Sequence, residues 1–304
     1  MNKLTKVGLT ALASTMVVAS ANAADWSISG GASISYTNKS TDSGVNPYSF
    51  GDSLTFSASG DLDGGMSIST SMELDGNSMD DRKIAISSDT MGTVSITSSL
   101  TAGGIGRISD MVPTASEEVY DVVDADDNGM ASTGVSSTNQ IGWVSNDLGG
   151  MTVSVGHTSL AKESDTSWTL QYDASSMVDG LSLGYGMADN GTTSENETAY
   201  VKYTMGGLTI AYQDSTVNYD ASGTSDEDAT HMGASFAVNE NLSVSVGRHD
   251  VEMGGASEEE SQGISASYTM GSMTVSGFSN STDNIAGSSG TNASASGVTV
   301  SFSF

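Results

Sequence analysis

The chain ends in a stretch that alternates apolar and small polar residues, VTVSFSF at positions 298–304. Successive side chains of a β-strand point to opposite faces, so this stretch predicts a strand with one apolar and one polar face. No segment of comparable length repeats at helical spacing, which predicts an all-β fold. The same period of two recurs at 26–36, 54–58, 66–74, 94–100, 151–155, 168–172, 181–187, 208–212, 232–238, 242–246 and 273–275.

Two kinds of connection separate these segments. The short ones repeat a glycine-containing phrase, as in LGGM at 148–151 and MGGL at 205–208. Glycine supplies the positive φ that tight hairpin turns need. Counting the segments between breaks predicts about sixteen strands, with short turns on one rim and long loops on the other. The longer polar connections are predicted at 37–51, 75–81, 101–138, 160–166, 189–197, 215–229, 251–261 and 281–293.

This pattern predicts a transmembrane antiparallel β-barrel with short periplasmic turns and long extracellular loops. About ten residues per strand, with apolar side chains outside and polar ones inside, are typical of such barrels. Hydrocarbon forces the sheet to close, because an open edge would leave backbone groups unsatisfied. The polar face is mostly Ser, Thr and Gly, which suits a water-filled lumen.

The first residues predict export, and the charge excludes nucleic acid as a partner. The formal net charge is −28, whereas nucleic-acid binding requires basic partners for phosphate. Lys3 and Lys6 precede an apolar stretch at 7–19, and Ala21-Asn22-Ala23 supplies a small-x-small cleavage site. These features predict a cleaved secretory signal peptide at 1–23 and a single barrel domain at 24–304. The chain contains no Cys, so disulfides do not stabilise it.

A soluble, secreted, acidic all-β adhesin or surface-layer protein is the alternative. Such proteins share the low cysteine content and the abundance of Gly, Ser, Thr and Asp. The alternation of short and long connections and the terminal Phe strand favour the membrane barrel. A soluble solenoid would instead repeat at one constant length.

The whole mature chain resembles the general diffusion porins of Gram-negative bacteria, most closely the α-proteobacterial type. The resemblance rests on the signal peptide, on Ala24-Asp25-Trp26 entering the first strand, on the Gly-Gly turns and on the terminal strand ending at Phe304. It implies a sixteen-stranded barrel, usually a homotrimer, that passes small hydrophilic solutes and ions through the outer membrane. It also implies contact with outer-membrane lipid and lipopolysaccharide, and recognition of Phe304 by the outer-membrane assembly machinery.

In this family the third long loop folds inward and narrows the pore, and here the third loop, 101–138, is the longest. The resemblance therefore places its acidic residues at the constriction and implies a cation preference. Basic residues typically line the wall opposite this loop, and the candidates are Arg82, Lys83 and Lys202. Arg82 shares the phase of Ile84, so its direction is open. The acidic residues are Glu117, Glu118, Asp121, Asp124, Asp126 and Asp127.

Two more specific functions, calcium binding and enzymatic activity, have less support in the sequence. Asp124, Asp126 and Asn128 are spaced like the first oxygen donors of an EF-hand loop, but Val135 occupies the position of its bidentate Glu. Calcium is therefore an optional ligand, and no cofactor is required. The three histidines, at 157, 231 and 249, form no metal-binding motif, and no nucleophile elbow is present, so an enzyme is not expected.

Overall fold

The computed structural model describes residues 25–41, 44–99, 101–121, 139–159 and 164–304, so the predicted signal peptide lies outside the described residues. The described residues form sixteen strands and two short 3₁₀ turns, Gly104–Arg107 and Ile285–Gly287. Among them, no helix has the length and apolarity needed to cross a membrane. The strands are β1 (Asp25–Lys39), β2 (Tyr48–Leu62), β3 (Met66–Asp75), β4 (Ser78–Ser88), β5 (Gly92–Thr97), β6 (Gln140–Val144), β7 (Met151–Ser159), β8 (Ser164–Asp173), β9 (Leu181–Asp189), β10 (Ser194–Met205), β11 (Leu208–Tyr219), β12 (Glu227–Ala237), β13 (Leu242–Met253), β14 (Glu259–Met270), β15 (Met273–Asp283) and β16 (Ala293–Ser303).

The sheet closes on itself. Each strand pairs antiparallel with its sequence neighbours, and β1 completes the ring by pairing with β16. Ile34 of β1 lies opposite Val300 in that last seam. Closure leaves no open sheet edge, which confirms the predicted antiparallel barrel of about sixteen strands.

The strand register separates an apolar outer face from a polar inner face. Ile34 and Val300 belong to the outer face, as do Val246 of β13 and Ile264 of β14, which pair directly. The Ile264 side chain is 62% exposed although it is aliphatic. On the inner face Ser35 lies opposite Ser49, and their hydroxyl oxygens are 2.5 Å apart. An exposed aliphatic outer face around a hydroxyl-lined interior is typical of transmembrane barrels.

One rim differs from the sequence-based prediction. A long loop was expected at 75–81, but β3 and β4 are joined by a two-residue turn, Gly76-Asn77, and Asp75 pairs with Ser78. Gly76 has a φ of +53°, as such turns require. The other loops of this rim are also shorter than predicted, because the polar strand ends remain paired beyond the last apolar residue; the exception is the third loop, predicted at 101–138, which spans 98–139. The loop expected at 215–229, for example, spans only 220–226.

Candidate functional site

The longest connection lies inside the barrel. It joins β5 to β6 across residues 98–139 and is called L3 below. Its described part, 98–99, 101–121 and 139, follows the inner wall from β5 to β15. Ser95 of β5 donates a hydrogen bond to the Ala102 carbonyl at 3.3 Å, and Asn280 of β15 donates one to the Glu118 carbonyl at 2.6 Å. L3 therefore lines most of the wall, and β16 and β1–β4 form the remaining arc.

Side chains of the wall satisfy the backbone of L3 at its start. The N–H groups of three successive residues, 103 to 105, donate to one side chain from each of β6, β7 and β8. These acceptors are Gln140 Oε1 at 3.2 Å, Ser154 Oγ at 3.0 Å and Ser167 Oγ at 3.2 Å. Buried backbone groups need such partners, so the lumen-facing polar residues serve as docking sites as well as a hydrated lining.

Gln213 of β11 binds the middle of L3. Its Nε2 donates to the carbonyl oxygens of Ile108 and Ser109, both at 2.9 Å. Its Oε1 accepts from the Met111 N–H at 2.8 Å. Ile108 itself is fully buried. The Gln213 side-chain amide thus holds L3 through both its donor nitrogen and its acceptor oxygen.

Two glycines let L3 approach the wall closely. Gly233 of β12 and Gly247 of β13 are partners in the strand register. A Cβ on Gly233 would lie 2.7 Å from Val112 Cγ1, and one on Gly247 would lie 3.0 Å from Val119 Cγ1. Both distances are shorter than ordinary carbon contacts, so larger residues at these positions would displace L3.

Residues 114 and 115 of L3 are held by strands β13 and β14. The Ala115 N–H donates to Ser245 Oγ at 3.0 Å, and Ser245 Oγ lies 2.7 Å from Ser265 Oγ. Thr114 Oγ1 lies 3.3 Å from the same Ser265 hydroxyl. These contacts bring the acidic segment that follows onto the surface of the lumen.

Three of the predicted acidic residues lie on this segment. Glu117 and Asp121 are exposed and Glu118 is half-buried. Burial, together with three neighbouring carboxylates, raises the pKa of Glu118 to about 8. Burial and the adjacent Asp121 raise the pKa of Glu117 as well. The other predicted acidic residues, Asp124, Asp126 and Asp127, lie outside the described residues.

A buried cluster joins L3 to the wall next to this segment. Tyr120 donates its hydroxyl to Asp110 Oδ2 at 2.9 Å, and Asp110 Oδ1 lies 3.5 Å from His231 Nδ1. The Tyr120 ring also contacts His231 and His249, at centroid distances of 5.5 and 5.0 Å. Burial alone would raise the pKa of Asp110, but His231 and two hydrogen bonds outweigh it and lower that pKa below 3.8. Burial, followed by the nearby carboxylates, raises the pKa of Tyr120 above 10.0.

The three predicted basic residues are not brought together. Lys83 of β4 pairs with Ser71 and shares the inner face with buried Ala85, so it faces the lumen on the arc opposite L3. Lys202 also faces the lumen, but from β10, which lies within the arc that L3 follows.

The prediction that Arg82 lines the pore wall is wrong. Arg82 lies on the outer face with Ile84 and Ile86, opposite Met72. The register of β3 and β4 shifts between Met72 and Leu74, and on the Arg82 side of this irregularity the alternation is regular. Arg82 therefore has the same direction as its apolar neighbours.

Two cationic residues and one acidic residue of the lumen were missed from sequence. Lys39 is the last residue of β1, and its charge lowers the pKa of Glu117, so it lies near the acidic segment. The sequence pattern predicts a loop at 37–51, which includes Lys39, although Lys39 continues the polar phase of Ser33 and Ser35. Arg107 and Asp110 lie on L3, whose path has no periodic signal in the sequence.

The predicted calcium ligands Asp124, Asp126 and Asn128 lie outside the described residues, so calcium binding there stays a prediction. Among the described residues, no group of three or more His, Cys, Asp or Glu side chains is arranged to hold a metal ion.

Solved bacterial porins have the same fold. A mutant of the Rhodobacter blastica porin superposes with a TM-score of 0.66 at 15% identity, over 92% of this chain and 100% of that one. The trimer form of the outer membrane protein OmpT from Vibrio cholerae superposes with a TM-score of 0.69 at 11% identity, over 93% of this chain and 100% of that one. No curated protein matches this chain in sequence.

The family assignment comes from the sequence itself. A family model described as Gram-negative porin matches residues 8–304, nearly the whole chain. The closed barrel, its apolar outer face and the loop inside its lumen agree with that match. The chain therefore belongs to the Gram-negative porin family and forms a channel barrel of the bacterial outer membrane.

Proposed function

We propose that this barrel is a passive, cation-preferring channel for small hydrophilic solutes and ions. The observation that carries the proposal is the lumen: L3 lies along one arc of the wall, and small hydroxyl side chains line the opposite arc. Ser27 lies opposite Ser57, and Ser57 opposite Ser71, across β1, β2 and β3. Short hydroxyl side chains leave space for water and offer hydrogen bonds to polar solutes without binding them tightly.

The charges of the lumen favour cations. Glu117 and Asp121 are exposed on L3, while the described lumen-facing cations, Lys39, Lys83, Arg107 and Lys202, are dispersed over L3 and three strands. Negative charge within a confined channel concentrates cations and excludes anions. Burial and Asp121 raise the pKa of Glu117, but Asp121 and the net charge of −28 also favour cations.

We extend the trimeric state to this chain from OmpT, whose structure includes a trimer form. The large exposed apolar side chains of the outer face are available to contact both lipid and neighbouring protomers. Conductance steps that occur in groups of three would support the trimer, and cross-linking of the detergent-solubilised protein would test it independently.

Two membrane partners are part of the same proposal. Phe304 pairs with Gly30 through hydrogen bonds of 2.9 and 2.8 Å, and its ring is 69% exposed, so the assembly machinery would find the terminal aromatic accessible. Arg248 lies on the outer face near the loop rim, where it contacts Asp250 and Glu260. This position suits contact with lipopolysaccharide headgroups.

The experiment is single-channel recording of the refolded protein, residues 24–304, in planar bilayers. Large stepwise openings support the channel. Protein that stays soluble without detergent and gives no steps would favour the soluble adhesin instead. The exposed aliphatic belt argues against that alternative, because water would contact it in a soluble protein.

A further inference from the structure

We propose that His231 and His249, together with Tyr120 and Asp110, form an acid-sensitive latch that holds L3 against the barrel wall. The expected effect on ion current rests on the proposed channel function, whereas the latch itself is a property of the contact between L3 and the wall. Neither histidine is needed for a water-filled lumen, and both are fully buried, with exposures of 2% and 0%.

The two imidazoles are forced together by the strand register. His231 of β12 and His249 of β13 are direct partners on the inner face, and their ring centroids are 5.4 Å apart. Across the described residues, neither nitrogen of His249 has a hydrogen-bond partner. A neutral imidazole tolerates this setting at modest cost, whereas a charged one would need a counterion or water.

L3 supplies one counterion for the pair. Asp110 Oδ1 lies 3.5 Å from His231 Nδ1, so a first proton on His231 would form an ion pair across the contact. Among the described residues of L3, two further carboxylates lie nearby: Glu118 is close enough to Asp110, and Asp121 close enough to Tyr120, for their charges to interact. A second proton on His249 would then place two cations side by side against Tyr120, and among the described residues only His231 has a carboxylate, Asp110, within 4.0 Å of a ring nitrogen.

The surrounding wall offers no further compensation at short range. The register partners of the pair on the flanking strands are the neutral residues Gln213 of β11 and Ser261 of β14. The next ionisable groups on this face are already engaged: Glu227 accepts from the Tyr219 hydroxyl at 3.3 Å, and Glu259 accepts from the Ala286 N–H at 2.6 Å. Beyond these described side chains, water is therefore the source of solvation for a doubly protonated pair.

Water reaches the pair when L3 moves. Tyr120 and Asp110 both belong to L3 and cover the histidines, so solvating two imidazolium groups requires this part of L3 to leave the wall. Once detached, the segment occupies space in the lumen that it does not occupy when docked. Acidification should therefore reduce the ion current and make it unsteady.

The chain supplies its own control, because its third histidine lies on the other face. His157 of β7 pairs with Ile141 of β6, is exposed, and contacts Thr166 at 3.1 Å. We would record bilayer currents between about pH 7.5 and about pH 3, because a buried imidazole takes up its proton at a lower pH than an exposed one. The recordings would compare the unmodified protein with His249→Gln, His231→Gln and His157→Gln.

We expect an acid-induced loss of current in the unmodified protein and in His157→Gln, and its absence in both His249→Gln and His231→Gln, because either change leaves a single imidazole in the pair. An unchanged acid response in His249→Gln, or no response in the unmodified protein, would overturn the latch. Channels that open without any acid response would leave the proposed function intact and remove only the latch.

A second readout does not depend on current. The chain lacks Cys, so a spin label on Ser116→Cys reports the motion of L3 alone in detergent micelles. Label mobility should rise at acid pH and stay low when His249→Gln is added. Equal mobility at both pH values would contradict the latch even for protein that forms no channels.

Discussion

Gly233 and Gly247 lie opposite each other across β12 and β13, and each lies beneath a valine of L3. Their register places them one inward-facing position from His231 and His249, which are partners in the same two strands. The wall therefore fits L3 at two adjacent positions along these strands. The glycines leave space for the two valines, and the histidines pack against Tyr120. L3 is held by shape and by hydrogen bonds at the same site.

Valine at both glycine positions should displace L3. The backbone of β12 and β13 accepts a β-branched residue, but the added atoms would overlap Val112 and Val119, at a cost of about 1–3 kcal/mol. We expect Gly233→Val with Gly247→Val to insert as a barrel but to give noisy currents. Gly31→Val is the control, because its nearest neighbour is the Phe302 carbonyl on β16, and not L3. Quiet currents from the double variant would contradict tight docking.

Removing the amide of Gln213 should loosen the middle of L3. Gln213→Leu leaves the carbonyls of Ile108 and Ser109 and the Met111 N–H without that partner, at about 1–3 kcal/mol for each group that stays buried. We expect faster protease cleavage within 101–121 while the barrel remains resistant. The control variant Gln262→Leu, on the outer face of β14, should be cleaved as slowly as the unmodified protein. Equal rates for both variants would refute the role of Gln213.

The strands could be predicted from sequence because their period of two survives in nearly every segment. The path of L3 could not, since its contacts depend on single residues, such as Gln213 and Gly247, that look ordinary within their strands. Lys39 was missed because polar strand ends resemble loops, although it keeps the phase of Ser35. The pairing of His231 with His249 required the register, which periodicity alone does not determine.

Neutralising the exposed carboxylates of L3 should reduce the cation preference. Glu117→Gln with Asp121→Asn removes negative charge from the surface of the lumen, so the reversal potential in a salt gradient should shift toward zero. Asp214→Asn is the matched control, because Asp214 lies on the outer face beside the Tyr212 hydroxyl, 3.3 Å away. Equal shifts in both variants would mean that the net charge, and not L3, determines selectivity.

Alkaline pH should weaken the docking of L3 through Glu118. Its pKa is raised from 4.5 to about 8 when L3 is docked, so the docked state retains a proton that a free carboxyl releases. The stabilisation is complete below pH 4.5 and is lost as the pH rises through about 8. In protein that also carries His249→Gln, which removes the acid response, mobility of a spin label on Ser116→Cys should increase as the pH rises through about 8, and adding Glu118→Gln should abolish the increase. Persistence of the increase in Glu118→Gln would assign it to another group.

The reversal potential of the refolded barrel, residues 24–304, across a potassium chloride gradient tests the central claim most directly. Current through a water-filled lumen lined by hydroxyl groups and by the acidic segment of L3 should appear in stable steps. Its reversal potential should have the same sign as the equilibrium potential of potassium. Stable steps whose reversal potential has the sign of the chloride equilibrium potential would contradict the cation-preferring lumen.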